Sequence, residues 1–266
     1  MEKSRSAFVA ESVSGPSNAP PTFQESFQDT PLGFKSRFAC IAFARPDRIR
    51  LINFTEIEIG AIYEVVKAHW PQGINNVRPF TESREIKLNG YPWSYDTNGN
   101  DDVRRLTLRI IEHLYNIGWV LQASVDVTKN TSSRDSLVFR KQDPIPPPCE
   151  WISISFDRGD KLKILGELPK DLADAVITTF ITDIQKHEAE PARLKIKFKG
   201  WPWHPNDGDM VATNLKILTL LETLERYGFT LYATTSARYG DDWSEANVLI
   251  CQKQLDWTPG APIWHR

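Results

Sequence analysis

The sequence predicts an α+β fold built by tandem duplication of one two-layer module, and three observations predict it. GYPW at Gly90 recurs as GWPW at Gly200, an offset of 110 that also carries Gly118 onto Gly228, Leu121 onto Leu231 and Ala123 onto Ala233. Between these anchors Leu108, Glu112 and Leu114 fall on Leu218, Glu222 and Leu224, while Ile86 and Leu88 fall on Ile196 and Phe198. With small shifts, DRIRLI from Asp47 meets DKLKIL from Asp160, and FRKQ ending at Gln142 meets CQKQ ending at Gln254. A self-match this ordered over most of both halves marks a repeat.

The expected organisation is a disordered N-terminal tail at 1–33, a first module at 34–142, a Pro-rich linker at 143–149, a second module at 150–254 and a C-terminal tail at 255–266. The N-terminal segment is rich in Ser, Pro, Gln and Gly and carries few periodic apolar positions, a composition that does not form a packed core. The run DPIPPPC from Asp143 to Cys149 falls where the first copy ends, and consecutive prolines hold an extended, semi-rigid spacer.

The second copy reads most clearly. ISISF from Ile152 and KLKIL from Lys161 alternate apolar and polar residues on either side of the turn DRGD, the signature of a hairpin. LPKDLADAVITTFITDIQKH places Leu172, Val176, Phe180 and Ile184 at spacing four and reads as one amphipathic helix. RLKIKFKG follows as a strand, then the loop WPWHPNDGD. A second helix, NLKILTLLETLERYG, carries Leu215, Leu218, Leu221 and Leu224 as its apolar stripe and stops at Gly228. FTLYATTSA and ANVLICQKQ complete the order ββαβαββ. The first copy repeats it, with CIAFA, RIRLINF, a helix from about Glu56 to Trp70, REIKLNG, a helix from Val103 to Ile117, WVLQASVDV and SLVFRKQ. Two helices and about five mostly antiparallel strands suit a sheet with both helices on one face. The other face is then solvated or packs on the sister module, and the two modules are expected to form a pseudo-two-fold pair.

Composition narrows the function classes. The 266 residues are 41% hydrophobic and 25% charged, with a formal net charge of −2. That balance provides no global attraction to nucleic acid or acidic membranes, so any such binding needs a local patch. Three cysteines (Cys40, Cys149, Cys251) have no metal-type spacing and suit a reducing compartment. No stretch approaches the roughly 20 apolar residues of a membrane helix, and the N-terminus lacks a signal-type apolar run. The expectation is an intracellular protein, cytoplasmic or nuclear, without a cofactor.

Four tryptophans stand out as binding candidates. Trp93 and Trp203 close the two G-x-P-W motifs, Trp201 faces Tyr91, and Trp243 in RYGDDWSE has no tryptophan counterpart. At a strand end, such aromatics either fill the corner between sheet and helix or stand out to hold a partner. A second set is basic. Lys161 and Lys163, like Lys195, Lys197 and Lys199, alternate with apolar residues and therefore share the sheet face away from the helices. Such rows keep a sheet soluble and unpaired, or with exposed aromatics they hold single-stranded nucleic acid.

Catalytic and metal signals are weak. Asp96, Asn98, Asn100 and Asp102 alternate like the first ligands of a calcium loop, but the twelfth position is Thr107 and the second copy does not keep the spacing. None of the five histidines recurs at its matched position, and the familiar nucleophile, zinc and phosphate-loop motifs are absent from the sequence. The copies share apolar and glycine positions while their polar positions diverge. The sequence therefore favours a non-enzymatic interaction or adaptor protein whose partner is another protein. Nucleic acid or another polyanion is the alternative partner, and an enzyme with its site between the modules is the third reading.

Overall fold

A computed structural model describes residues 36–93, 101–125, 133–237 and 246–263. The N-terminal segment 1–33, the loop 94–100 and Trp243 lie outside the described residues. The first module runs β1 (Phe38–Ala44), β2 (Arg48–Ile52), α1 (Glu56–His69), β3 (Ile74–Phe80), β4 (Ser83–Leu88), α2 (Asp101–Asn116), β5 (Trp119–Val125) and β6 (Ser133–Lys141). The second repeats it with β7 (Cys149–Asp157), β8 (Lys161–Gly166), α3 (Lys170–Thr179), β9 (Ile184–Glu190), β10 (Arg193–Phe198), α4 (Met210–Glu225), β11 (Thr230–Ala237) and β12 (Ala246–Gln254). The sheets have the orders β3-β4-β2-β1-β6-β5 and β9-β10-β8-β7-β12-β11, which is one topology written twice. Every strand pair is antiparallel.

Small details repeat with the topology. Gly90 and Gly200 both hold positive φ (72° and 71°), as do the helix-stopping Gly118 and Gly228 (87° and 84°), conformations that glycine adopts without steric cost. Trp93 donates its backbone N–H to the Pro46 carbonyl and Trp203 donates to the Gly159 carbonyl, each at 2.9 Å. α1 opens with a capping box in which Thr55 and Glu58 satisfy each other's backbone N–H groups.

The α+β tandem duplication is present, with one strand per module more than the sequence reading gave: the order is ββαββαββ. The stretch read as the end of a helix through His187 splits. α3 stops at Thr179, Phe180 caps it, and β9 begins at Ile184. Phe180 packs on Phe198 and Ile184 packs against the same core, so the four-residue apolar spacing runs past the helix end. In the first module β3 (INNVRPF) has five exposed interior positions. It is an edge strand with Pro79 and Arg78 facing solvent, a composition that resists further pairing and leaves no apolar alternation to read.

The relation between the modules differs from the expected two-fold pairing. Within the compact unit Ser36–Arg266, α2 of the first module packs on the outer face of β7 and β8, and β5 and β6 meet β11. Among the described residues no packing of comparable extent joins α4 to β1 or β2. The modules therefore stack head to tail, helix layer on sheet. Arg104 of α2, almost fully buried, makes two hydrogen bonds to Asp157 at 3.0 and 2.6 Å. Asp101 pairs with Lys163 at 2.8 Å and with Arg193 at 3.4 Å. Tyr115, Trp151 and Tyr232 form an edge-to-face triad with centroids 5.0–5.7 Å apart, and the Leu121 N–H on edge strand β5 donates to the Tyr232 hydroxyl at 2.7 Å. Helix α2 is consequently buried on two sides. Val103, Leu106, Ile110 and Leu114 follow one helical row, while Arg104, Leu108 and Tyr115 follow the row that carries the contacts with the second sheet.

Candidate functional site

Two surfaces of the second module stand out by their side-chain chemistry. The first is the outer row of α4. Val211, Leu215 and Leu218, at spacing four and three, share one helical face. They are well exposed, Leu215 by 57% and Leu218 by 54%, with Met210 beside them at the helix start and Leu231 at the start of β11. The stripe read from the sequence (Leu215, Leu218, Leu221, Leu224) thus divides between solvent and core, since Leu224 is fully buried and Leu221 partly so. Each three-residue step falls roughly 60° short of a full turn, so Leu215 and Leu224 lie on opposite sides of the helix. Leu108, which matches Leu218, is 1% exposed because the second sheet covers it.

The second surface is a pocket of about 400 Å³ at the end of β8, β9 and β10. Five cations line it (Arg158, Lys161, Lys186, Lys195, Lys197) against two carboxylates, Asp160 and Glu188, with His187 and Trp201 completing the wall. Lys186 and Lys195 hold Glu188 at 2.9 and 3.4 Å and keep its carboxyl below the usual range; Lys197 approaches Asp160 at 3.8 Å. Trp201 is 67% exposed and leans on the turn at Gly159, where a Cβ would come within 3.0 Å of the indole. Glycine at that turn, with φ +74°, gives the ring its seat.

On the corresponding face of the first module the arginines gather around one buried carboxylate. Glu85 stands where the second module has Lys195. It is 2% exposed and accepts hydrogen bonds from Arg48, Arg50 and Arg78 at 2.9–3.2 Å. Burial pushes its carboxyl up, but the Arg50 and Arg78 hydrogen bonds and the charges of Arg48 and Arg50 outweigh that and hold it below the usual range. The cross-strand pair Arg78–Glu85 becomes Glu188–Lys195 in the second copy, with its charges exchanged.

The sequence candidates separate on these surfaces. Trp93 is buried, packs on Phe43 at 4.5 Å and donates its indole N–H to the Arg48 carbonyl. Trp203 packs on Phe156 and Phe198. Both fill the corner between sheet and helix, and Trp201 alone of the three stands out. Among the lysines, Lys161, Lys195 and Lys197 line the pocket, Lys163 is committed to Asp101 and Asp157 at the junction, and Lys199 donates to the Thr182 carbonyl. The sequence reading missed Arg158, Lys186 and His187, since a turn and an unrecognised strand carry them. It also passed over the exposed leucines, having assigned them to the core.

The cysteines and histidines whose titration is shifted lie at separate places in the fold, except at Glu112, whose charge reaches both His69 and His113. Burial pushes the Cys251 thiol up to about 12 and raises Cys40, while burial lowers His69 and His113, which stand on different helices. Among the described residues no three His, Cys, Asp or Glu side chains are placed to hold a metal ion, and no helix is long and apolar enough to cross a membrane.

Comparison with known proteins agrees with the repeat. A protein-family model for a single domain matches twice, over residues 37–140 and 150–252. A search of curated proteins finds no match. Among solved structures, the chain is similar to a conserved kinetoplastid-specific protein from Trypanosoma cruzi, with 19% identity over 40% of this chain and 95% of that one and a TM-score of 0.30.

Proposed function

We propose that this chain, which belongs to the family whose domain it carries twice, is a non-catalytic interaction protein whose two modules form a rigid stack and whose contact surface is the outer row of α4. The observation that carries this reading is the contrast between Leu218 at 54% exposure and Leu108 at 1%. The same leucine at the same repeat position is a buried contact in one copy and bare in the other. A run of apolar side chains on an otherwise polar surface marks a protein contact. A photo-crosslinking amino acid at position 215, expressed in the native cells, is expected to yield a protein adduct that disappears with Leu218→Asp. Adducts no more abundant than from a control position on exposed α1 would overturn the reading.

The pocket favours a second reading, binding of a polyanion such as single-stranded nucleic acid. Its supports are the excess of cations and the exposed indole of Trp201 beside them, a pairing that holds phosphate and base together. Fluorescence anisotropy with a labelled oligonucleotide should show binding that weakens steeply with salt and is lost on Lys161→Glu with Lys197→Glu. Absence of binding at low salt would remove this reading and leave the first untouched.

A further inference from the structure

We infer that α4 of one molecule docks on the outer face of the first module's sheet in a second copy, repeating between molecules the contact that α2 makes on β7 and β8 within one. This rests on α4 being an interaction surface, and it names the occupant.

Strand register defines the equivalent positions. Ser155 lies opposite Lys163 as Ala42 lies opposite Arg50, so Trp151, Ser153, Ser155 and Asp157 correspond to Phe38, Cys40, Ala42 and Ala44. Trp151 is 2% exposed under α2, whereas Phe38 is 47% exposed. Leu165, also buried, corresponds to Ile52, which is exposed. Ala39 and Ile41 fill the core, so β1 is apolar on both faces from Phe38 to Ala44. A central strand with that composition belongs between two covering layers, and among the described residues only one of them is present. Among the described residues two surfaces are thus left uncovered, each carrying apolar residues at positions that the internal junction buries.

The polar residues change in step. The buried pair Arg104–Asp157 would be matched by Asn214 and Ala44, so neither surface presents a charge that needs the other. Asp101 meets Lys163 and Arg193 inside the molecule. On the open sheet the position of Lys163 is held by Arg50, which is paired with Glu85 at 3.0 Å, a carboxylate it shares with Arg48 and Arg78, and α4 correspondingly carries Val211 in place of Asp101. The helix that would approach an arginine already paired within its own sheet has lost its acid. At the far end Glu225 replaces Tyr115, so the aromatic triad is not repeated. The contact between molecules is therefore the weaker of the two, and association is reversible. Because unlike faces meet, the contact propagates into open chains or closes into rings.

The experiment is sedimentation of the full chain over rising concentration, with Leu218→Asp and Phe38→Asp alone and mixed. Both residues are exposed, so both variants keep the fold, checked by circular dichroism. The wild type should grow in mass with concentration. Each variant alone should self-associate about thirtyfold more weakly or less. Their equimolar mixture should form a one-to-one dimer, since each supplies the face that the other lacks. Cys40, in the middle of the open row, should become protected from alkylation as the wild type assembles.

Loss of association with Leu218→Asp but not Phe38→Asp would place α4 against α4 and overturn the inference. A wild type that stays monomeric overturns it too, whether Cys40 reacts freely or is protected at every concentration, the latter meaning that the chain covers its own sheet. In a monomeric protein, a position-215 adduct with a different protein leaves α4 as an interaction surface and removes only the second copy. Absence of both adduct and association removes both.

Discussion

Helices α2 and α4 occupy the same place in two copies of one module, yet α2 buries eight of its residues and α4 only three. Both put a leucine at the centre of the outer row and both end at a glycine in the left-handed region. What differs is the neighbour. A second sheet lies on α2, and α2 has acquired Asp101, Arg104 and Tyr115 to meet it; α4 lacks that cover and carries Val211, Asn214 and Glu225 instead. The pair teaches that a helix's outer face follows what lies on it, while its inner face follows the module.

Substitutions can break this comparison in graded steps. The largest effect is expected from Leu108→Asp, which puts a carboxylate between two sheets. A cost above about 4 kcal/mol, a large part of a domain's whole stability, should appear in urea unfolding, whereas Leu218→Asp should stay within about 0.5 kcal/mol of wild type. Equal costs would mean that the two helices are covered alike. Next comes Arg104→Met, which among the described residues leaves Asp157 with Lys163 as its ionic partner and should cost about 3 kcal/mol. Arg104→Asn combined with Asp157→Ala, the combination found on the open surfaces, should recover most of that loss in a double-mutant cycle.

A smaller contrast concerns pH. Burial pushes the Asp101 carboxyl up, but Lys163 and Arg193, with the charge of Arg104, outweigh that and hold it below the usual range. A folded value below the unfolded one stabilises the native state fully above the ordinary carboxylate range, near pH 4, and the contribution disappears as pH falls through the folded value. Protection of α2 amides, relative to their intrinsic exchange rate, should therefore fall below about pH 4, and Asp101→Asn should flatten that dependence, while α4 carries Val211 at the matching position. Glu58 at the α1 cap behaves alike over a wider window. Burial raises it, yet hydrogen bonds from Thr55, Arg37 and Trp119 bring it to about 2, so its contribution is lost only as pH falls through about 2. The smallest effect should come from Trp201→Ala, which leaves thermal stability unchanged and weakens oligonucleotide binding alone.

The repeat, the glycine stops and the hairpins were legible because local chemistry decides them: only certain residues turn a chain at Gly90 or end a helix at Gly228. The second strand hairpin of each module was not, because β3 and β9 are edge strands whose exposed faces are polar on both sides. Nor could the leucines of α4 be assigned, since spacing alone does not say which of two apolar rows meets the core. The basic face was half legible. Alternation put Lys161, Lys195 and Lys197 on one side of the sheet, but only the strand order brought Lys186 and Arg158 to them and drew Lys163 away.

Seven residues, 142–148, join β6 to β7, four of them proline. A tether that short holds the helix layer of the first module at an effective concentration in the range of ~mM for the sheet of the second. The internal contact can therefore stay closed with an affinity too weak to unite free modules, and its residues can drift further before the halves part. A cut among the prolines would remove that advantage, and the stack would then persist only as far as Arg104, Tyr115 and their partners hold it unaided.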